Sequence, residues 1–298
     1  MDELEPGERL RRDGVVPLAG ALSRPDLAMV EACFDWNIRH ASANAVQFQP
    51  TRMHPGRFYQ DINNPGTLEP DSPYWPLLTR SALGPILSDL WGGTDVWFLY
   101  EQVLLKEGGE ARRTPWHQDS SYLPVAGEML AVVWITLEET PRENSLEFVR
   151  ASHRGPLYNG STFNPEDDTE PLYAGDAMPP LPDIERAREN WPILGWAVSP
   201  GDIVVFHPAM LHGGAPTRPN TRRRTVSLRF FGEDAVYAPL PSDGVEGIGI
   251  EGETIWKRLA GRLKAGDPLH DPGLPLVYRH QPPASALRAP AAASGDMP

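Results

Sequence analysis

A chain of 298 residues with a formal net charge of −13 lacks the basic footprint of a duplex-binding protein. Its single cysteine cannot form a disulfide framework, and no run of about 18 apolar residues is present to cross a bilayer. A hydrophobic fraction of 40% supports a sizeable core, and 33 prolines point to many turns and long ordered loops around β structure.

Residues 1–12 read as a loose, charged start with no apolar signal segment. With the lone Cys33 this leads to the expectation of a reducing, cytoplasmic setting, with no nucleic-acid and no membrane partner. GVVPLAGAL (14–22) reads as a short strand. Ser23 as N-cap and Pro25 in the first turn open a helix whose apolar face is Leu27, Val30, Phe34 and Ile38, with Cys33 as a buried small hydrophobe. Residues 44–75 have no period and read as a long ordered loop. Leu83, Ile86, Leu87 and Leu90 mark a second amphipathic helix, stopped by Gly92-Gly93.

The chain then turns to β-like runs: 95–106, 129–137, 145–149, 195–198, 202–207 and 225–231, each bounded by turn residues. Between them, 155–192 is rich in Pro and Gly, contains the acidic run EDDTE, and is a candidate lid. The last residues, 281–298, are poor in large apolar groups and read as a disordered tail after a single domain over 1–280. Helices first and short strands after suggest helices packed on one face of a β-sandwich or barrel.

TPWHQDSSYLPVAG (114–127) sets His117 and Asp119 two positions apart, on one side of an extended chain. Alone, this pair reads as a solvated strand end. The second half of the chain adds His212 before two glycines, which would let the backbone approach a metal closely. Two histidines and one carboxylate form the facial set of mononuclear non-haem Fe(II) oxygenases, leaving positions for a bidentate 2-oxo acid and O₂. His207, at the end of an apolar run, reads instead as a packing residue. A 2-oxo acid also needs a cation for its far carboxylate, which the planar fork of arginine suits best. Of Arg222, Arg223 and Arg224, strand parity selects Arg223. It shares the polar face with Thr225, Ser227 and Arg229, while Val226, Leu228 and Phe230 share the other.

LYEQVLLKEG, TPWHQDSSYLPV, WITLEETPRENSLEFVRASHRG, SPGDIVVFHPAMLHGG and RRTVSLRFFG, in this order between about 14 and 280, resemble the phytanoyl-CoA dioxygenase (PhyH) family of Fe(II)/2-oxoglutarate oxygenases. The resemblance implies a mainly β fold with flanking helices, the double-stranded β-helix (jelly-roll, cupin-like barrel). It implies that His117, Asp119 and His212 bind Fe(II), that Arg223 pairs with the cosubstrate 2-oxoglutarate, and that O₂ is the oxidant. Trp134 matches a tryptophan near the cosubstrate, with plain core packing as its other reading. Gln102 matches a polar cosubstrate contact, and Lys106 reads as solvated. Where relatives carry NG and PGSH, this chain has Asn144-Ser145 and Arg150-Ala151-Ser152-His153, with His153 fixing a loop. Halogenating relatives lack the carboxylate, so an intact Asp119 favours hydroxylation, desaturation or ring formation. Phe48, Phe58, Tyr59, Tyr122 and 155–192 are candidate pocket walls for a small apolar or ring-containing substrate. An acyl-CoA hydroxylase and a non-oxygenase cupin-type metal-binding protein are the alternatives. The oligomeric state leaves no mark in the sequence.

Overall fold

The structure is a computed structural model that describes residues 4–48, 56–107, 113–164, 167–214, 217, 221–241 and 255–282. The expected tail lies outside the described residues from 283 onward. Among the described residues no helix is long and apolar enough to cross a membrane.

Residues 1–12, expected to be loose, hold a helix, α1 (Pro6–Asp13). Proline stands in its first turn, Glu8 reaches back to the Glu5 N–H, and Gly14 ends it in the left-handed region at φ 80°. Eight residues are too few for the periodicity to show. β1 (Val15–Leu18) and α2 (Arg24–Arg39) follow as expected, with Ser23 Oγ accepting from the Asp26 N–H and the Asp26 carboxylate accepting in return from the Ser23 N–H.

The 44–75 segment is not a loop. It contains β2 (Val46–Phe48), β3 (Arg57–Ile62), a 3-10 turn at Pro65–Leu68 and the start of α3 (Tyr74–Arg80). β3 forms because it pairs along its whole length with the next long strand, a non-local contact that local composition does not encode. α4 (Leu83–Leu90) then ends before Gly92 and Gly93, at φ 86° and 93°.

The β region comprises β4 (Val96–Glu107), β5 (Thr114–His117), β6 (Val125–Ala126), β7 (Leu130–Thr136), β8 (Leu146–Val149), β9 (Ile193–Gly195), β10 (Ile203–Phe206), β11 (His212–Gly214), β12 (Arg222–Phe231) and β13 (Val236–Tyr237). Near the C-terminal end lie α5 (Ile255–Ala260) and β14 (Leu276–Tyr278). The strand expected at 195–198 is shifted: β9 stops at Gly195, opposite Glu147 of β8, and Val198 makes only an isolated bridge to Thr140.

Among the described residues a two-stranded sheet pairs β13 with β6, and two antiparallel sheets form the barrel. The larger runs β1-β10-β7-β12-β4-β3-β2, with β14 on β4; the smaller runs β5-β11-β8-β9. The outer face of the larger sheet, with Val103, Leu105, Val133, Ile135, Val205, Val226, Leu228 and Phe230, packs against Val30, Phe34, Leu77 and Leu87 of the helices. Inside, Val132 and Trp134 of the larger sheet meet Phe148 of the smaller. A bulge in β4 decides which β4 residues face inward. Phe230 is opposite Phe98 but Arg229 is opposite Tyr100, so Leu99 is the extra residue. The parity of β4 flips there, turning Phe98 to the helices and Tyr100, Gln102 and Lys106 to the interior.

Candidate metal centre

His117 and His212 are register partners on β5 and β11. Next to His212, a Cβ on Gly213 would stand 3.0 Å from the Thr114 carbonyl oxygen, and one on Gly214 3.1 Å from Thr114 Oγ1. The two glycines therefore let β11 lie against β5, rather than admitting a metal to the backbone as their position suggested. Gln118 is extended, so His117 and Asp119 project to one side while Gln118 points to the other. There the Gln118 amide donates to the Ala209 carbonyl at 2.7 Å and accepts from the Tyr158 N–H at 2.8 Å, tying three loops together.

The three expected ligands come together. One ligand atom from each of His117, Asp119 and His212 lies within 4.8 Å of the others, and all three residues are buried. Asp119 Oδ1 is 3.3 Å from His117 Nε2 and 3.8 Å from His212 Nε2. His117 Nδ1 donates to the Pro115 carbonyl at 2.9 Å and His212 Nδ1 to the Met210 carbonyl at 3.0 Å. This fixes the tautomer and leaves both Nε2 lone pairs aimed at Asp119 Oδ1. Burial and the neighbouring His117 pull the His212 pKa down to about 3, so its imidazole is neutral at ordinary pH. Burial alone would raise the Asp119 pKa. The Arg229 guanidinium overrides it and holds the carboxyl far below the usual range. Two imidazole Nε2 atoms and one ionised carboxylate with converging donor atoms fit Fe(II). His212 is held between Phe148 and Phe206, with ring centroids at 6.0 and 4.7 Å.

Across the interior, residues opposite one another on β4, β12 and β7 share a face. Arg223 is opposite Lys106; Thr225 lies between Leu104 and Thr136; Ser227 lies between Gln102 and Trp134; Arg229 lies between Tyr100 and Val132. Arg223 is 8% exposed and donates to the Asn144 carbonyl, and among the described residues no carboxylate pairs with it. Burial lowers its pKa to about 10, so the guanidinium stays charged at ordinary pH. Arg222 is exposed, and Arg224 is committed to Glu138 at 2.6 Å and Glu31 at 2.8 Å. Thr225 and Ser227 are buried beside Arg223. Trp134 is buried among Val132, Phe148, Val204 and Phe206.

Lys106 and Tyr59 behave differently from expectation, and Gln102 has a partner within the chain. Lys106, read as solvated, is 4% exposed, with Nζ 3.3 Å from Thr114 Oγ1, because the β4 bulge turns it inward. Gln102, read as a cosubstrate contact, has its Oε1 engaged by Arg229 at 2.7 Å. Tyr59, a candidate wall, lies on the helix side of the sheet and donates to Asn37 Oδ1 at 2.9 Å, whereas Phe58 is opposite Lys106 on the inner face. The side chain of Phe48 lies outside the described residues. His207 is satisfied away from the site, donating from Nε2 to the Gly127 carbonyl at 3.0 Å and accepting at Nδ1 from the Ala209 N–H at 3.1 Å. His153 Nε2 approaches the Arg11 carbonyl at 3.3 Å, in the loop-fixing place expected of it.

Two residues near the metal ligands escaped the sequence reading. Arg229 had the right parity but no assigned role. Phe163, from the 155–192 segment, stacks on Tyr122 at 5.7 Å and meets His117 edge-on; nothing local to its sequence signals this.

The phytanoyl-CoA dioxygenase (PhyH) family model matches residues 14–225. The chain belongs to that family. Human peroxisomal phytanoyl-CoA dioxygenase is 27% identical over 143 residues, covering 47% of this chain but 40% of the human protein's length. A probable phytanoyl-CoA dioxygenase of Caenorhabditis elegans is 27% identical over 124 residues, 41% of this chain and 37% of that protein. Among solved structures, the epimerase SnoN in complex with Fe³⁺, α-ketoglutarate and nogalamycin RO superposes with a TM-score of 0.65 at 21% identity, covering 92% of this chain and 97% of that one. The carbocyclase SnoK from nogalamycin biosynthesis gives 0.64 at 20% identity, covering 93% and 98%. These likenesses establish the shared double-stranded β-helix of this PhyH-family protein.

Proposed function

We propose that the protein is an Fe(II)- and 2-oxoglutarate-dependent dioxygenase that oxidises, by hydroxylation, an unactivated C–H bond of a small apolar or ring-containing molecule. The observation that carries this reading is the convergence of both Nε2 atoms on Asp119 Oδ1, with a charged Arg223 buried on the same interior and paired with no carboxylate among the described residues. His117, Asp119 and His212 would hold the iron. When bound, Fe(II) supplies O₂ activation coupled to decarboxylation of 2-oxoglutarate to succinate and CO₂, and thereby the oxidising power for a C–H bond.

The chain's own groups supply the rest. The two Nδ1–H donors hold the imidazoles in orientation, with Nε2 of each facing Asp119. Arg223 offers its fork to the far carboxylate of 2-oxoglutarate, with the Thr225 and Ser227 hydroxyls beside it. Trp134 walls the cosubstrate side. Phe163 and Tyr122 restrict water at His117 and present aromatic faces to substrate.

The acyl-CoA reading is favoured by the curated relatives, which are phytanoyl-CoA dioxygenases by name. It would require a free cluster of cations for the CoA phosphates. Among the described candidates for one, Arg113 pairs with Glu185 and Glu147 and Arg154 donates to the Arg11 carbonyl, while the exposed Arg150 only approaches Asp13 at 3.8 Å; Arg112 lies outside the described residues. A compact substrate without CoA fits better. The single cysteine is buried and unpaired, in keeping with a reducing, cytoplasmic setting.

Succinate formation from 2-oxoglutarate with Fe(II) and ascorbate tests the reaction class, and panels of acyl-CoAs and of free acids, terpenoids and aromatics test the substrate. Coupled turnover of an acyl-CoA with none of its free acid would restore the acyl-CoA reading.

A further inference from the structure

Asp119 shows its two carboxylate oxygens to different partners. Oδ1 faces the two histidine Nε2 atoms, at 3.3 and 3.8 Å. Oδ2 faces away and accepts from Arg229 Nη2 at 3.0 Å. The contact joins the segment after β5 to β12, and so ties the smaller sheet to the larger across the interior. Arg229 is 5% exposed and is held on three sides of its own. The same Nη2 donates to Gln102 Oε1 at 2.7 Å, Nη1 donates to the Ser227 carbonyl at 3.2 Å, and the guanidinium lies 4.9 Å from the centroid of the Tyr100 ring. Gln102 and Tyr100 reach this position only because the bulge at Leu99 turns them inward.

We propose that Arg229 is a positioning residue that compels Asp119 to bind the metal through Oδ1 alone. The inference rests on the Fe(II)/2-oxoglutarate reading and adds to it a condition on the metal's free positions. A carboxylate can bind a divalent cation through one oxygen or both. With two imidazoles and one oxygen on the metal, a six-coordinate ion keeps room for a bidentate 2-oxo acid and O₂ together. If Asp119 also bound through Oδ2, one of those positions would be lost and the pair could not be accommodated. An arginine suits the task because Nη2 serves Oδ2 and Gln102 together while Nη1 of the same planar fork is anchored on the Ser227 carbonyl, and its charge balances the buried carboxylate. The two interior arginines of β12 thereby divide the work: Arg229 is committed to a ligand and Arg223 is left for the cosubstrate.

The direct test is the number of waters on Mn(II), a spectroscopic stand-in for Fe(II), bound to wild type, Arg229→Gln and Arg229→Lys. It is counted by pulsed electron paramagnetic resonance in ¹⁷O-labelled water. The Arg229→Gln protein should hold one water fewer than wild type, and its affinity for 2-oxoglutarate in the Mn(II) form should fall by roughly tenfold or more, as for other loosened outer-shell partners. Arg229→Lys keeps a charge but not the fork, and should fall between the two. If removing the buried arginine prevents folding, Gln102→Leu, which frees Arg229 from its anchor, should shift the count in the same direction. An unchanged water count in the folded variants would overturn the proposal whatever happens to stability, since a merely structural ion pair would lower melting without altering coordination. Wild type that binds neither Mn(II) nor 2-oxoglutarate would instead defeat the oxygenase reading itself.

Discussion

Phe163 meets His117 edge to face, with ring centroids 5.2 Å apart and ring planes at 75°, from a backbone held in the left-handed region at φ 59°. A bulky residue there is costly, on the order of 1–2 kcal/mol, so surrounding contacts must fix it. They are visible. Tyr122 OH donates to the Ser161 carbonyl at 2.8 Å and accepts from the Ser161 N–H at 2.7 Å. Asn159 exchanges a similar pair with Tyr173, whose hydroxyl donates to the Ser121 carbonyl at 2.6 Å. The 155–192 segment is thus stapled to the turn that carries Asp119.

Replacing Phe163 should loosen this cover. Phe163→Ala keeps the left-handed backbone but loses both ring contacts, so it should melt lower and consume 2-oxoglutarate faster without substrate. Phe163→Gly should be more stable than Phe163→Ala by about 1 kcal/mol, because glycine adopts this backbone freely. Thermal melts and substrate-free succinate assays check both. A Gly variant no more stable than the Ala variant would remove strain from the account.

The metal ligands make a simpler prediction. His117→Ala and His212→Ala should each abolish measurable Fe(II) binding in anaerobic calorimetry while the fold persists, because the core clusters on the helix side do not include them. Wild-type affinity in either variant would place the metal elsewhere.

The three adjacent arginines of β12 should separate cleanly. Arg223→Ala should weaken 2-oxoglutarate binding by about 2–5 kcal/mol, since it leaves a buried carboxylate without its partner. Arg222→Ala should do little. Arg224→Ala should cost only about 1 kcal/mol of stability, because its pairs with Glu138 and Glu31 lie near the surface, and should leave cosubstrate affinity intact. Binding isotherms and melts for all three settle the register. A dominant effect at Arg222 or Arg224 would contradict it.

Stability should fall as pH rises, because of one carboxyl group on the helix side of β4. Burial raises the Glu101 pKa from 4.5 to about 8, although the Asn64 N–H donates to it at 2.7 Å. Asp61 of β3, Tyr74 of α3 and Cys33 of α2 face it and supply no positive charge, and the attraction of Arg229 across the sheet does not offset the burial. The folded state therefore holds this proton more tightly than the unfolded chain. The resulting stability is complete below about pH 4.5 and is lost as pH rises through 8, with a slope approaching about 1.4 kcal/mol per unit. Glu101→Gln keeps an oxygen for Asn64 and should flatten that dependence in denaturant titrations between these limits. An identical slope in the variant would assign the effect to other groups.

The meeting of His117, Asp119 and His212 and the inward face of Arg223 were legible because their signals are short-range. A two-residue spacing and strand parity are properties of a few consecutive residues, and β12 preserved the parity over its whole length. What was hidden depends on distant partners. β3 exists because β4 pairs with it. Lys106 faces inward because of a single extra residue at Leu99. Phe163 reaches His117 through hydrogen bonds made some forty residues away in sequence, from Tyr122 to Ser161. Arg229 shows both sides: parity put it on the right face, but its partner Asp119 comes from another part of the chain.

The most direct test of the account is an anaerobic titration of the Fe(II)-loaded protein with 2-oxoglutarate, followed by the charge-transfer absorption that a 2-oxo acid chelated to Fe(II) produces. The account predicts a saturable band at one equivalent, absent in His212→Ala and shifted to much higher 2-oxoglutarate concentration in Arg223→Ala. Folded wild-type protein that binds Fe(II) but develops no such band would contradict it.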